Sequence, residues 1–121
     1  MRIAFIGAGR LAQTLAAAFH LAGWTVAAVS SRTVHSSNAL AKVAGACTVV
    51  EDPQKAVDLA DLVFITVPDD SIGTVAASLR WNQGHSVVHC SGATEVSVLA
   101  AAAGQGAAIG GFHPLQPIFL S

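Results

Sequence analysis

The chain has 121 residues, of which 53% are hydrophobic and 11% charged, and its formal net charge is −1. This length predicts one domain, and this hydrophobic content is enough to bury a core, so the composition excludes an intrinsically disordered chain. The near-neutral charge also argues against electrostatic attraction to nucleic acid or to an anionic membrane.

The sequence gives no sign of membrane insertion or secretion. No apolar run approaches the roughly 20 residues that a membrane span requires. A predicted strand begins one residue after Met1 and leaves no room for a signal peptide. We therefore expect a cytoplasmic protein.

The first twelve residues, MRIAFIGAGRLA, predict a strand, a glycine turn and the start of a helix. The turn would use Gly7 to bend the chain, Gly9 to let a pyrophosphate approach the backbone, and Ala12 to let the helix pack closely on the strand. The alternative is a plain structural turn. The residues that match the G-x-G-x-x-G/A pattern of dinucleotide sites are Gly7, Ala8, Gly9, Arg10, Leu11 and Ala12.

Helical patterns follow the turn and separate the later strands. Ser36 or Ser37 is predicted to cap the second helix, and Gly45 to end it. A third helix is predicted from Pro53 through residue 59. The capping oxygens of the fourth helix would come from Asp69, Asp70 and Ser71. The first helix is predicted to end at Gly23. Its apolar residues at helical spacing are Leu11, Leu15, Ala18, Phe19 and Ala22.

Six strands are predicted, at residues 3–6, 25–30, 46–50, 61–67, 86–90 and 107–112. Their alternation with helices indicates βαβ units with right-handed crossovers and therefore a parallel sheet. The predicted fold class is α/β, a doubly wound parallel Rossmann sheet in the order 3-2-1-4-5-6. The two cysteines, Cys47 and Cys90, would lie on strands four places apart, so we expect free thiols.

The end of the second strand predicts which dinucleotide binds. NAD enzymes place a carboxylate there for the ribose 2′-hydroxyl, but this chain has no Asp or Glu before Glu51. Arg32 stands there instead, and a guanidinium flanked by hydroxyls can bind a 2′-phosphate. We therefore expect the cofactor NADP, the alternative being that Arg32 is a solvated loop residue. The predicted 2′-phosphate site is Ser30, Ser31, Arg32 and Thr33.

Further site residues are expected where other strands end, because ligands bind beyond the carboxyl ends of the strands at the switch point of such a sheet. The turn after the fourth strand contributes Val67, Pro68 and Asp69, and the loop after the fifth contributes Ser91 and Gly92. The sixth strand leads to His113, whose imidazole titrates near neutral pH as a general acid or base requires. A loop histidine bonded to the backbone is the alternative.

Five segments in order, GAGRLA, SSRT, VPDD, HCSGA and GGFHPLQ, resemble the N-terminal half of the NADP-dependent dehydrogenases of the 6-phosphogluconate dehydrogenase-like superfamily. That superfamily includes pyrroline-5-carboxylate reductase, deazaflavin-dependent NADP oxidoreductase and prephenate dehydrogenase. The resemblance covers nearly the whole chain and implies hydride transfer between NADP and a small carbonyl, imine or hydroxyl substrate. It also implies a helical C-terminal domain.

In prephenate dehydrogenases a serine and a histidine hold the substrate hydroxyl, and the histidine takes its proton. By resemblance these are Ser91 and His113, which we expect to be catalytic. Leu115-Gln116-Pro117 after the histidine departs from that family's pattern, so the resemblance does not supply the substrate. Neither a metal site at His85, His89 and Cys90 nor a hydrolase nucleophile at Ser91 is expected, since a fourth ligand and an adjacent base are missing.

We expect residues 1–121 to form one NADP-binding domain, with the substrate domain absent from this chain and an apolar tail at 116–121. Its expected partners are a small-molecule substrate and the helical C-terminal domain. A second copy of the chain, forming a homodimer, is a further candidate partner. The alternative function is a non-catalytic NADP(H)-sensing module that acts through a partner.

Overall fold

The structure is a computed structural model that describes residues 1–112. Its strands are β1 (Arg2–Ile6), β2 (Thr25–Ser30), β3 (Thr48–Val49), β4 (Leu62–Ile65), β5 (Ser86–His89) and β6 (Ala108–Gly111). They form a single parallel sheet in the order β3-β2-β1-β4-β5-β6. The predicted α/β fold and strand order are therefore confirmed.

The helices cover both faces of this sheet. They are α1 (Arg10–Leu21), α2 (Val34–Val43), α3 (Pro53–Asp58), α4 (Asp69–Ser78) and a short 3₁₀ turn, Val96–Leu99, that continues into α5 (Ala100–Ala103). No helix among residues 1–112 is long and apolar enough to cross a membrane.

The two faces of the sheet are filled by alternate residues of the same strands, because successive side chains of a strand point in opposite directions. In β1, Ile3 and Phe5 pack with α1 and α2, whereas Ala4 and Ile6 pack with the other helices. All four side chains are buried, as expected of a central strand in a sheet covered on both sides.

An aromatic cluster on the α1 face connects distant parts of the chain. Phe64 of β4 stacks on Phe5 of β1, with ring centroids 5.2 Å apart. The rings of Phe19 and Phe112 lie 5.4 and 6.0 Å from it. The Phe64 side chain thus packs against β1, α1 and the residue that follows β6.

Several local predictions were wrong. The cap of α2 is Thr33, whose Oγ1 accepts from the Ser36 N–H at 3.2 Å, and neither Ser36 nor Ser37 caps it. No side chain caps α4, since Pro68 precedes it and the acidic residues lie inside its first turn. The buried side of α1 is also rotated from the predicted stripe: Leu11, Ala18 and Ala22 are exposed, while Ala12, Leu15 and Ala16 are buried.

We predict that Phe64→Ala lowers the free energy of unfolding by about 3–5 kcal/mol, the usual cost of removing a buried aromatic ring and leaving a cavity. Leu21→Ala is the control, because Leu21 is 85% exposed and its truncation should change stability by less than about 0.5 kcal/mol. Denaturant unfolding of both variants measures the difference. A cost below about 1 kcal/mol for Phe64→Ala would contradict the packing described.

Candidate cofactor site at the carboxyl edge of the sheet

The turn after β1 is enclosed by the ends of two neighbouring strands. Gly7 has a φ of +103°, and its N–H donates to the Ser30 carbonyl of β2 at 2.8 Å. A Cβ atom on Gly7 would lie 2.7 Å from the carbonyl oxygen of Thr66, just beyond β4. Both the backbone angle and the space therefore require glycine here.

Gly9 differs from Gly7, because the folded chain does not itself require glycine there: its φ of −74° is one that any residue adopts. A Cβ atom there would have no neighbour within 4 Å and would project into open space. Gly9 is the N-cap of α1, no side chain caps that helix end, and its first turn holds no acidic residue. The first N–H groups of α1 thus stay available to an anion, which fits the pyrophosphate of a dinucleotide.

A cavity of about 710 Å³ extends from this turn across the ends of β2 and β4. Of the residues that the structure describes, the charged ones in its lining are Arg32 and Glu51, and Pro53 and Val75 form an apolar part of the wall. Most of the site residues predicted for the turn after β1 and for the end of β2 line this cavity, and so do two of those predicted after β4. They are Gly7, Ala8, Gly9, Ser30, Ser31, Arg32, Thr33, Val67 and Pro68.

The hydroxyl groups beside Arg32 are bonded to the loop itself and to the segment that follows β3. Ser30 is 2% exposed, and its Oγ donates to the Glu51 carbonyl at 3.2 Å. The Ser31 hydroxyl donates to the Thr33 carbonyl at 2.7 Å and also contacts Ser37. These bonds hold the loop that carries the exposed Arg32 side chain.

A second cavity, of about 200 Å³, lies between the start of α1 and the end of β5. Gly9, Thr66 and Val67 line both cavities, so the two adjoin along the carboxyl edge of the sheet. The predicted site residues in the smaller cavity are Gly9, Arg10, Leu11, Ala12, Val67, Asp69 and Ser91. Gly92 is exposed and lines neither cavity.

The loop that carries Ser91 is held by hydrogen bonds to the buried side chain of His89. This role of His89 was not predicted from the sequence. His89 is 1% exposed, and its Nδ1 accepts from the Ser91 N–H at 3.0 Å. Its Nε2 lies 3.3 Å from the Glu95 carbonyl, which can only accept, so the proton is on Nε2. The Ser91 hydroxyl donates to Thr94 Oγ1 at 2.8 Å.

His85 also has a structural role. Its Nδ1 accepts from the Asn82 N–H and its Nε2 donates to the Val57 carbonyl, both at 3.1 Å. Both buried histidines therefore use their ring nitrogens on the backbone. Residues 1–112 contain no group of three side chains placed to bind a metal ion.

The two cysteines lie next to strands of the sheet, Cys47 just before β3 and Cys90 just after β5. Cys47 and Cys90 are free and half-buried. Burial raises the pKa of each thiol to about 11, so both are protonated at neutral pH. Cys90 contributes a neutral wall to the smaller cavity, next to Ser91. The predicted catalytic His113 and the apolar tail at 116–121 lie outside the described residues.

A parallel sheet in this order, with a glycine turn at its switch point, defines a dinucleotide-binding Rossmann domain. Residues 2–93 match the family described as NADP oxidoreductase, coenzyme F420-dependent, and the chain belongs to that family. This match confirms the resemblance to the 6-phosphogluconate dehydrogenase-like superfamily, a group of NAD(P)-dependent oxidoreductases. The sequence matches no curated protein.

Solved structures extend the comparison. A provisionally assigned NADP oxidoreductase from Bacteroides fragilis is 26% identical, with a TM-score of 0.77 over 96% of this chain and 44% of its own. Mycobacterium tuberculosis 3-hydroxyisobutyrate dehydrogenase, solved with L-serine, is 22% identical, with a TM-score of 0.71 over 88% of this chain and 38% of its own. An imine reductase variant from Myxococcus stipitatus, solved with NAD⁺, is 23% identical, with a TM-score of 0.69 over the same shares. The chain therefore spans less than half the length of these proteins.

We predict that Gly9→Ala weakens dinucleotide binding by about tenfold or more, because its methyl group would occupy the space that a pyrophosphate needs. The free energy of unfolding of the Gly9→Ala variant should change by less than about 1 kcal/mol. Gly7→Ala should instead lower the free energy of unfolding by at least about 2 kcal/mol through its positive φ and the contact with Thr66. Unfolding curves and NADPH titrations separate the two effects, and full affinity in Gly9→Ala would contradict this assignment.

Proposed function

We propose that this chain is the NADP(H)-binding domain of an oxidoreductase that transfers a hydride between nicotinamide and a small carbonyl, imine or hydroxyl substrate. The observation that carries the proposal is the continuous groove at the carboxyl edge of the sheet. It joins the uncapped N-terminus of α1 to an exposed arginine at the end of β2. An imine reductase and a hydroxy-acid dehydrogenase among the structural neighbours support this range of substrates.

The proposed placement of the cofactor follows from the two cavities. The larger cavity takes the adenosine half, because it has an apolar wall and Arg32 for the 2′-phosphate. The pyrophosphate lies over Gly9, where α1 offers its free N–H groups. The nicotinamide then lies toward the smaller cavity, beside Cys90 and Ser91.

The chain's own residues bind and orient the reactants. The cofactor supplies the carbon that gives or accepts the hydride. Ser91, held by His89 and Thr94, presents a hydroxyl group at the smaller cavity for a polar atom of the substrate. His113 follows Phe112 directly in the sequence, and we propose that it transfers the accompanying proton.

A second domain is needed on the open side of the nicotinamide, since hydride transfer requires the exclusion of water. The neighbours named above are more than twice as long as the part of them that this chain matches, which supports such a domain. We propose that it is helical and C-terminal, as the family resemblance implies. The 121-residue chain alone should accordingly bind the cofactor without substantial turnover.

Arg32→Ala should weaken NADPH binding by about 1.5–3 kcal/mol, the value of a lost hydrogen bond between charged groups, and leave NADH binding nearly unchanged. Fluorescence titration of the chain with each cofactor measures both constants. Arg80→Ala is the matched control, because Arg80 is exposed, carries the same charge and lines neither cavity. Equal losses for NADPH and NADH would contradict the proposed role of Arg32.

In the complete enzyme, His113→Asn should lower kcat by about 10²- to 10⁴-fold, as for a lost acid or base, and change the NADPH Kd by less than about threefold. Stopped-flow oxidation of NADPH with a panel of ketones and imines provides the rates. An unchanged kcat would contradict the proposed role of His113 in proton transfer. Saturable NADPH binding without turnover of any substrate by the wild-type enzyme would favour the sensing module over the oxidoreductase.

A further inference from the structure

Among residues 1–112, Glu51 is the one carboxylate that lines the larger cavity, and Arg32 lines the same cavity. We propose that Glu51 is a second determinant of cofactor choice, and that its charge opposes Arg32 at the ribose 2′ position. This inference rests on the proposed function, because it takes the larger cavity to be the adenosine site. Glu51 follows β3, so it is not among the residues at the end of β2 from which the choice of cofactor was predicted.

Strand pairing brings Glu51 to the end of β2. Ala28 and Val29 of β2 pair with Thr48 and Val49 of β3. The Val50 N–H then donates to the Val29 carbonyl at 3.0 Å, which continues the pairing by one residue. Glu51 therefore follows β3 at the level where β2 turns into the Arg32 loop.

The backbone of Glu51 is also bonded to that loop. The buried hydroxyl of Ser30 donates to the Glu51 carbonyl at 3.2 Å, and Ser30 is two residues from Arg32. This bond fixes the position from which the Glu51 side chain extends. The side chain itself is exposed and lines the cavity, so its carboxylate is accessible to a ligand.

The neighbouring acid, Asp52, has a different role. Its carboxylate accepts from the Gln54 N–H at 2.9 Å and caps α3, which begins at Pro53. Asp52 does not line the larger cavity, whereas Glu51 on one side of it and Pro53 on the other do. The cap also fixes the chain direction just after Glu51.

The charges of Arg32 and Glu51 act in opposite directions on the two cofactors. A 2′-phosphate with nearly two negative charges is attracted by the guanidinium and repelled by the carboxylate. A ribose 2′-hydroxyl is neutral and can donate a hydrogen bond to the carboxylate. Glu51 therefore lowers the preference for NADP that Arg32 creates, and the measured preference is the balance of the two.

The test is a titration of the 121-residue chain with NADPH and with NADH, before and after Glu51→Gln. This substitution keeps the shape of the side chain and removes its charge. We expect the NADPH Kd to fall by about two- to fivefold, as for exposed charges at close range, and the NADH Kd to rise or stay unchanged. The gain for NADPH should shrink at high salt, which screens the repulsion.

Asp58→Asn is the matched control. It removes the same charge from α3, at a residue that lines neither cavity, and it keeps the oxygen that accepts from Gln54 Nε2. The ratio of the two Kd values should not move in this variant. An equal shift in Asp58→Asn would show a general effect of net charge and overturn the role of Glu51.

The outcomes separate this inference from the function on which it rests. If the wild-type chain binds both cofactors and Glu51→Gln changes both Kd values equally or not at all, Glu51 is not a determinant and the proposed function stands. If the wild-type chain binds neither dinucleotide, the proposed function itself fails, and the role of Glu51 with it.

Discussion

The contact between the turn after β1 and the end of β4 is the constraint on which the site depends. Gly7 sits against the backbone of Thr66 with a positive φ, and the Thr66 hydroxyl bonds back to the carbonyls of β1 and the turn. With no Cβ between them, the two strand ends stay close while α1 leaves the sheet on one side. The groove opens at this point because the crossovers from β1 and β4 go to opposite faces of the sheet.

The polar atoms around this groove are largely engaged with the backbone, and this gives the site rigid walls. Ser30, Thr33 and His89 each hold a loop at the carboxyl edge through a hydrogen bond to or from the main chain. Among residues 1–112, the groups that stay available to a ligand include the first N–H groups of α1 and the exposed ends of Arg32 and Glu51. Preorganised loops of this kind lower the entropic cost of ordering a site when a ligand binds.

The sheet order and the glycine turn could be predicted because both depend on local patterns, alternating strands and helices and a fixed spacing of small residues. The cap of α2 could not, since three hydroxyl residues near its start offer the same chemistry and the backbone angle of Thr33 decides among them. Glu51 and His89 were missed for another reason. Glu51 lies at the site because β3 pairs with β2, and His89 acts on it through a hydrogen bond to the loop of Ser91. Neither contact is visible in the sequence pattern of a single strand.

The most direct test of the account is the location of NADPH on the isolated chain, measured by the shifts of its backbone amide resonances in an NMR titration. The account predicts saturable shifts that are largest at the start of α1 and in the loop after β2, with little change at Gly84 and Gly106, outside both cavities. Saturable shifts centred on Gly84 or Gly106, or no shifts at all, would contradict a dinucleotide site at the carboxyl edge of this sheet.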